Sequence, residues 1–195
     1  MALTPSRMIP LGVEAPDFSL TEVASGKIIS LKNFEEKKAL LVMFICNHCP
    51  YVQHVKYELA KLGQDYAKKN IGIVAISSND ALKYPDDGPG YLKKMAMDLK
   101  FSFPFCYDET QEVARGYSAA CTPDFFLFDA ERKLVYRGQL DDSRPENGQP
   151  INGHDLRAAM DSVLAGKPVS SIQKPSMGCN IKWKMAAYAK SEIKN

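Results

Sequence analysis

The sequence predicts an α/β fold: a mixed central sheet flanked by helices, with an N-terminal β-hairpin and a C-terminal extension. Three observations predict it. Two short apolar runs, at residues 39–45 and 71–76, have the unbroken hydrophobicity of central strands buried on both faces. A helical stripe of apolar residues lies between them, and strand and helix patterns go on alternating after them. Further on, residues 124–129 and 133–139 answer each other across Ala130-Glu131-Arg132 as an antiparallel pair.

The elements follow in order. Residues 16–34 alternate around Ser25-Gly26, which reads as a hairpin. After the strand at 39–45, Pro50 opens a helix, since proline suits a first helical position. Val52, Val55, Leu59 and Leu62 give that helix one apolar stripe, and Gly63 or Asn70 is expected to close it. The strand at 71–76 ends in Ser77-Ser78-Asn79-Asp80. Residues 83–90 are a turn-rich loop. A helix is expected over 91–99, a short strand over 103–107, and a short helix over 109–117. After the hairpin and a polar loop at 141–152, a helix over 154–165 is stopped by Gly166-Lys167-Pro168. The predicted domain therefore covers 1–166. Residues 167–195 are expected to be an extension docked on it, holding Cys179, Trp183 and a last helix.

The bulk numbers narrow the function. The chain has 195 residues, 45% hydrophobic and 25% charged, with a formal net charge of +2. That size supports one full core, and so small a charge gives no case for nucleic acid or an anionic membrane as partner. Lys182, Lys184, Lys190 and Lys194 read as a solvated tail face. No apolar run approaches the ~20 residues of a membrane span, and residues 1–11 lack the apolar stretch of a secretory leader. The expected compartment is a reducing cytoplasm. Five cysteines at irregular spacing do not make a disulfide framework. One close pair, Cys46 and Cys49, stands apart from Cys106, Cys121 and Cys179.

That pair carries the chemistry. Cys46-Asn47-His48-Cys49 sits between a strand and a helix start, where unpaired N–H groups and a partial positive charge stabilise a thiolate. A thiol there falls below its free pKa of ~8.5. Cys46 is expected to be the accessible attacking thiolate, and Cys49, one turn on, attacks the resulting mixed disulfide. His48 beside them favours the thiolate and makes the pair more oxidising. Two other readings stay open. Cys-x-x-Cys is also half of a zinc site, with His48 and His54 as partial candidates, although a second pair is missing. The cysteines could also be inert packing residues.

Taken together, these pieces resemble the thioredoxin-like superfamily. Within it, the chain resembles the redoxin branch shared with alkyl hydroperoxide reductase, thiol-specific antioxidant proteins and thiol-disulfide oxidoreductases. The resemblance rests on Ala15-Pro16-Asp17-Phe18-Ser19-Leu20, on Ser30-Leu31, on Val42-Met43-Phe44 before Cys46, and on Cys121-Thr122-Pro123-Asp124-Phe125-Phe126-Leu127-Phe128-Asp129. It implies a thioredoxin-like fold, Cys46 as nucleophile and Cys49 as its resolving partner. It also implies a cis Pro123 facing them, with the Thr122 backbone able to pair with an extended thiol substrate. The implied partners are protein or small-molecule thiols and disulfides, and no cofactor or metal is called for. Two departures bear on substrate. Ile45 stands where a Trp is usual. Peroxiredoxins carry a Thr three residues before the peroxidatic cysteine, and Cys46 holds that place relative to Cys49. A thiol peroxidase acting on peroxides through Cys49 or Cys46 is the alternative, with Arg115 or Arg137 as a pocket arginine. A metal-binding protein using Cys46, His48, Cys49 and Cys179 is another.

The stretch Pro175-Ser176-Met177-Gly178-Cys179-Asn180-Ile181-Lys182-Trp183-Lys184 also resembles the tail of a group of bacterial redoxin-domain proteins. Cys179 is a candidate third thiol, as a resolving cysteine or a soft metal ligand, against the reading that it only packs. Cys121 and Cys106 read as packing residues, and His54 and His154 as exposed ones.

Overall fold

Fourteen helices and strands follow the predicted alternation, in a computed structural model that describes residues 3–184. They are β1 (Leu3–Pro5), β2 (Ser19–Glu22), β3 (Ile28–Ser30), β4 (Ala39–Phe44), α1 (Pro50–Tyr66), β5 (Ile71–Ser77) and α2 (Pro89–Asp98). Then come β6 (Phe105–Tyr107), α3 (Glu112–Gly116), β7 (Cys121–Thr122), β8 (Asp124–Phe128), β9 (Leu134–Gly138), α4 (His154–Leu164) and β10 (Met177–Asn180).

Seven strands form the main sheet in the order β3-β2-β6-β5-β4-β8-β9. β4 pairs parallel with β5, and β5 parallel with β6. β8 pairs antiparallel with β4 and β9. The sheet is mixed, as the element order predicts. β4 is buried at every residue because both of its faces are covered. Leu41 and Met43 point to one core with α1, α2 and α4, among Val52, Leu59, Leu62, Leu92, Leu156 and Met160. Leu40, Val42 and Phe44 point to the other, with Phe126, Phe128 and Tyr117 beside the short α3. The period-2 alternation of a strand sends its neighbours to opposite cores.

Three sequence expectations shift. Gly63 does not close α1; it lies inside it. A Cβ there would stand 2.6 Å from the Phe103 ring, so glycine serves close packing against the following strand region. α2 begins at Pro89, inside the expected loop, because proline fits a first helical position after Gly88. α3 begins at Glu112 because Gln111 is held in the left-handed region, at φ 65.

The strands β1, β7 and β10 were not expected. β1 and β10 join β7 in a separate three-stranded antiparallel sheet, in the order β1-β10-β7. The tail then runs on along the domain. The Ile181 N–H donates to the Ala120 carbonyl, and the Lys182 N–H donates to Asn79 Oδ1 at 2.8 Å. The Lys182 carbonyl accepts from the Asp80 N–H and from Gln111 Nε2, each at 2.9 Å. Lys182 is therefore buried and not a solvated tail residue, and its ammonium donates to Asn180. The expected last helix, with Lys190 and Lys194, lies outside the described residues.

Candidate functional site

The site forms where β4 ends. The strand's pairing continues one residue on, with the Ile45 N–H donating to the Ile76 carbonyl at 3.0 Å. Cys46 follows, and Cys49 becomes the N-cap of α1 with Pro50 behind it. The Thr122–Pro123 peptide bond is cis, and Thr122 faces both sulfurs. Its hydroxyl lies 3.4 Å from Cys46 Sγ, and its carbonyl oxygen lies 3.2 Å from Cys49 Sγ, placed to accept whenever that thiol carries its proton. Cys46, His48, Cys49, Thr122 and Pro123, picked out across 78 residues of sequence, thus meet at one place. Cys179 joins them, paired with Thr122 across β10 and β7 and packed in the same buried core as Cys46 and Cys49.

The organising group was not picked out. Asp87 lies in the turn before α2 and is 0% exposed. A carboxylate so buried needs donors for its lone pairs, and it has four. Oδ1 accepts from the N–H groups of Asn47 and His48, at 2.8 and 2.9 Å. Oδ2 accepts from the Asn79 amide at 2.8 Å and from His48 Nδ1. The His48 ring also stacks on Tyr84, with centroids 5.2 Å apart. Asp87 therefore fixes the loop backbone and the ring together. One acid among Pro85-Asp86-Asp87-Gly88-Pro89 has no periodicity to set it apart. Its only sequence signal was an acid in a turn.

The charge distribution differs from the expected one. The Cys49 thiol is pulled down to about 5, chiefly because its sulfur accepts a hydrogen bond from the Cys46 thiol; Thr122, Cys179 and the Val52 N–H help, against burial. Cys46 is raised well above an ordinary thiol by burial first, then by the hydrogen bond it gives to Cys49, then by the Asp87 carboxylate. Cys46 was also expected to be accessible, yet Cys46 and Cys49 are both 0% exposed. Cys179 of the tail packs in the same buried core as both. Burial pushes Cys179 up to about 12, with its hydrogen bond to Cys49 next.

The other candidates fall elsewhere. Cys106 and Cys121 are buried, and burial raises both. The Arg115 guanidinium sits 4.5 Å over the Trp183 ring, and Arg137 donates to the Ile9 carbonyl and to Gln173. His54 is half-buried and not exposed, while His154 is exposed at the start of α4. For a metal, Cys46, His48 and Asp87 offer ligand atoms within 4.8 Å of one another. The Asp87 oxygens already hold four donors, so that set would have to be dismantled to bind an ion.

A family model for redoxins matches residues 10–151. The chain belongs to the redoxin family. It is similar to the crystal structure of an uncharacterized conserved protein from Geobacillus kaustophilus, at 55% identity over 96% of this chain and 99% of that one, with a TM-score of 0.94. A hypothetical protein from Sinorhizobium meliloti is 48% identical over 93% of this chain and 98% of that one, with a TM-score of 0.91. The thioredoxin domain of a thiol-disulfide oxidoreductase from Bacteroides vulgatus matches at a TM-score of 0.58 and 22% identity, over 69% of this chain and 91% of that one. That last likeness shows the fold, which is thioredoxin-like. No curated protein sequence matches the chain. Among the described residues, no helix is long and apolar enough to cross a membrane. The family is redoxin and the fold thioredoxin-like.

Proposed function

We propose that this chain is a thiol-disulfide oxidoreductase whose working pair is Cys46 and Cys49. The observation that carries this reading is that the Cys46 and Cys49 sulfurs both contact Thr122, beside the cis Pro123 and at the start of α1. On this reading the two sulfurs hold one proton and one negative charge between them. In the proposed cycle Cys46 passes its proton to Cys49 as it attacks a substrate disulfide. A Cys46–substrate bond forms, the substrate S–S bond breaks, and one substrate thiolate leaves. Cys49 gives the proton to that thiolate and attacks Cys46, releasing the second substrate sulfur as a thiolate. The chain ends with a Cys46–Cys49 bridge and has given up two electrons. A sulfur pulled down to about 5 is a ready thiolate for the resolving step. The His48–Asp87 pair holds the loop that carries both cysteines. Substrates on this reading are protein or small-molecule disulfides, and five buried free thiols suit a reducing cytoplasm.

Trapping tests the roles. Cys49→Ser protein incubated with a disulfide substrate should accumulate a mixed disulfide at Cys46. A mixed disulfide at Cys49 in Cys46→Ser protein, with none at Cys46 in the first variant, reverses the roles. None in either variant removes the reading.

The lowered Cys49 thiol favours a second reading, a thiol peroxidase. There the Cys49 thiolate takes an oxygen from a peroxide as sulfenic acid, and Cys46 condenses with it, releasing water. Peroxide consumption with a thioredoxin recycling system checks it, and a rate no faster than a free thiol's dismisses it.

A further inference from the structure

β10 lies where the redox reading would seat a substrate. An extended thiol substrate would pair with the backbone at Thr122. In this chain that edge is taken: Cys179 pairs with Thr122, and Asn180 with Cys121, antiparallel. The approach is close. A Cβ on Gly178 would stand 2.0 Å from the Thr122 carbonyl oxygen, so the strand can lie there only with glycine at that residue. Ser176 donates its hydroxyl to the Pro123 carbonyl at 2.6 Å. β1 covers the strand's other edge, pairing Leu3 with Cys179 and Pro5 with Met177. The backbone at Lys182 is fixed by Asn79, Asp80 and Gln111. From this strand one reactive side chain, Cys179, reaches the pair. Cys46, Cys49 and Cys179 lie in one buried cluster around Thr122, which the first two contact and the third pairs with, so Cys49 has two candidate disulfide partners.

The geometry points to residues 177–180 acting as a tethered substrate strand, with Cys179 exchanging with the oxidised pair and moving the disulfide from Cys46–Cys49 to Cys49–Cys179. This rests on the reading of Cys46 and Cys49 as a redox dithiol. The exchange balances within the chain. The Cys179 sulfur attacks Cys49 Sγ, the Cys49–Cys179 bond forms, the Cys46–Cys49 bond breaks, and the proton of Cys179 ends on Cys46. No electrons enter or leave, since the substrate disulfide supplied the oxidation in the earlier step. The product latches the tail over the site. A protein disulfide then meets a closed site until a reducing thiol cuts the Cys49–Cys179 bridge.

The test maps disulfides in the full chain. Protein is oxidised with oxidised glutathione, quenched with a thiol-blocking reagent at intervals, digested without reductant, and read by mass spectrometry with fragmentation. In wild type, Cys46–Cys49 should form first and Cys49–Cys179 should grow at its expense, at a rate independent of protein concentration. Cys46→Ala protein should form Cys49–Cys179 as its main bridge. If that variant and wild type both lack Cys49–Cys179 while Cys179→Ala forms Cys46–Cys49, the exchange is overturned and the dithiol reading stands. If neither wild type nor Cys179→Ala forms Cys46–Cys49, the dithiol reading itself falls. The wild-type time course needs no substitution, so it decides even if a variant folds poorly.

Discussion

The two sheets of this molecule are held by different physics. The seven-stranded sheet is built on side chains. Leu40, Leu41, Val42, Met43 and the phenylalanines of β8 fill two cores, with every residue of β4 and β8 buried. The three-stranded sheet β1-β10-β7 is built on backbone. Its strands have three, four and two residues, and its outer strand leaves Leu3 57% exposed. The cysteine pair sits at the seam, with the strong sheet behind it and the weak one across it. The stronger sheet fixes where Cys46 and Cys49 stand, and the weaker one governs what reaches them. Low local stability is what a moving part needs.

Substitutions on each side should separate the two. The largest effect belongs to the main core. Phe126 is 0% exposed and packs edge-on against Phe44 and Tyr117. Phe126→Ala should cost about 3–5 kcal/mol of stability by chemical denaturation, the usual range for a buried Phe. A loss below about 1 kcal/mol would mean that the core is not where these contacts put it.

Gly178→Ala comes next and acts on the weak sheet. The added Cβ meets backbone, which cannot rotate away. Overpacking of this kind costs about 1–3 kcal/mol, enough to lift β10 from β7 in a larger share of molecules. Cys49 should then react with iodoacetamide about tenfold faster or more, while the denaturation midpoint moves less than for Phe126→Ala. An unchanged Cys49 rate would show that the tail does not shield it.

A pH dependence at the seam completes the comparison. The Cys49 thiol is lower in the folded chain than in the unfolded one, so the unfolded chain holds more protons between the two pKa values. Stability from this group is complete above the unfolded thiol's ~8.5 and is lost as pH falls through about 5. Thiolate ultraviolet absorbance in wild type should titrate near pH 5. Cys46→Ala, which removes the largest cause, should move that midpoint up. A midpoint that stays put would place the cause elsewhere.

The same contrast explains what the sequence revealed. Central strands and α1 were legible because burial on a sheet or helix writes periodic apolar residues into the chain. Cys46, Cys49, Thr122 and Pro123 were legible because each stands at the end of such an element. β1, β7 and β10 were not, because two to four backbone-paired residues leave no period to read. Asp87 was hidden for another reason: its role depends on Asn47, His48 and Asn79, which folding alone brings to it. The low thiol expected at Cys46 is opposed there by burial first, and then by the neighbouring Cys49 and by the Asp87 carboxylate, none of which spacing in the chain reveals. Cys179 was suspected from its neighbours, but its partner, Thr122, comes from a register that spacing does not encode.

The central claim is that Cys46 and Cys49 are a redox dithiol. Equilibrating Cys179→Ala protein in glutathione buffers of graded potential, then counting free thiols by alkylation and mass, tests it most directly. The account predicts one two-electron transition in which the Cys46 and Cys49 thiols disappear together while Cys106 and Cys121 stay free. Four thiols remaining alkylatable across the whole range, or a transition at any other pair, would contradict it.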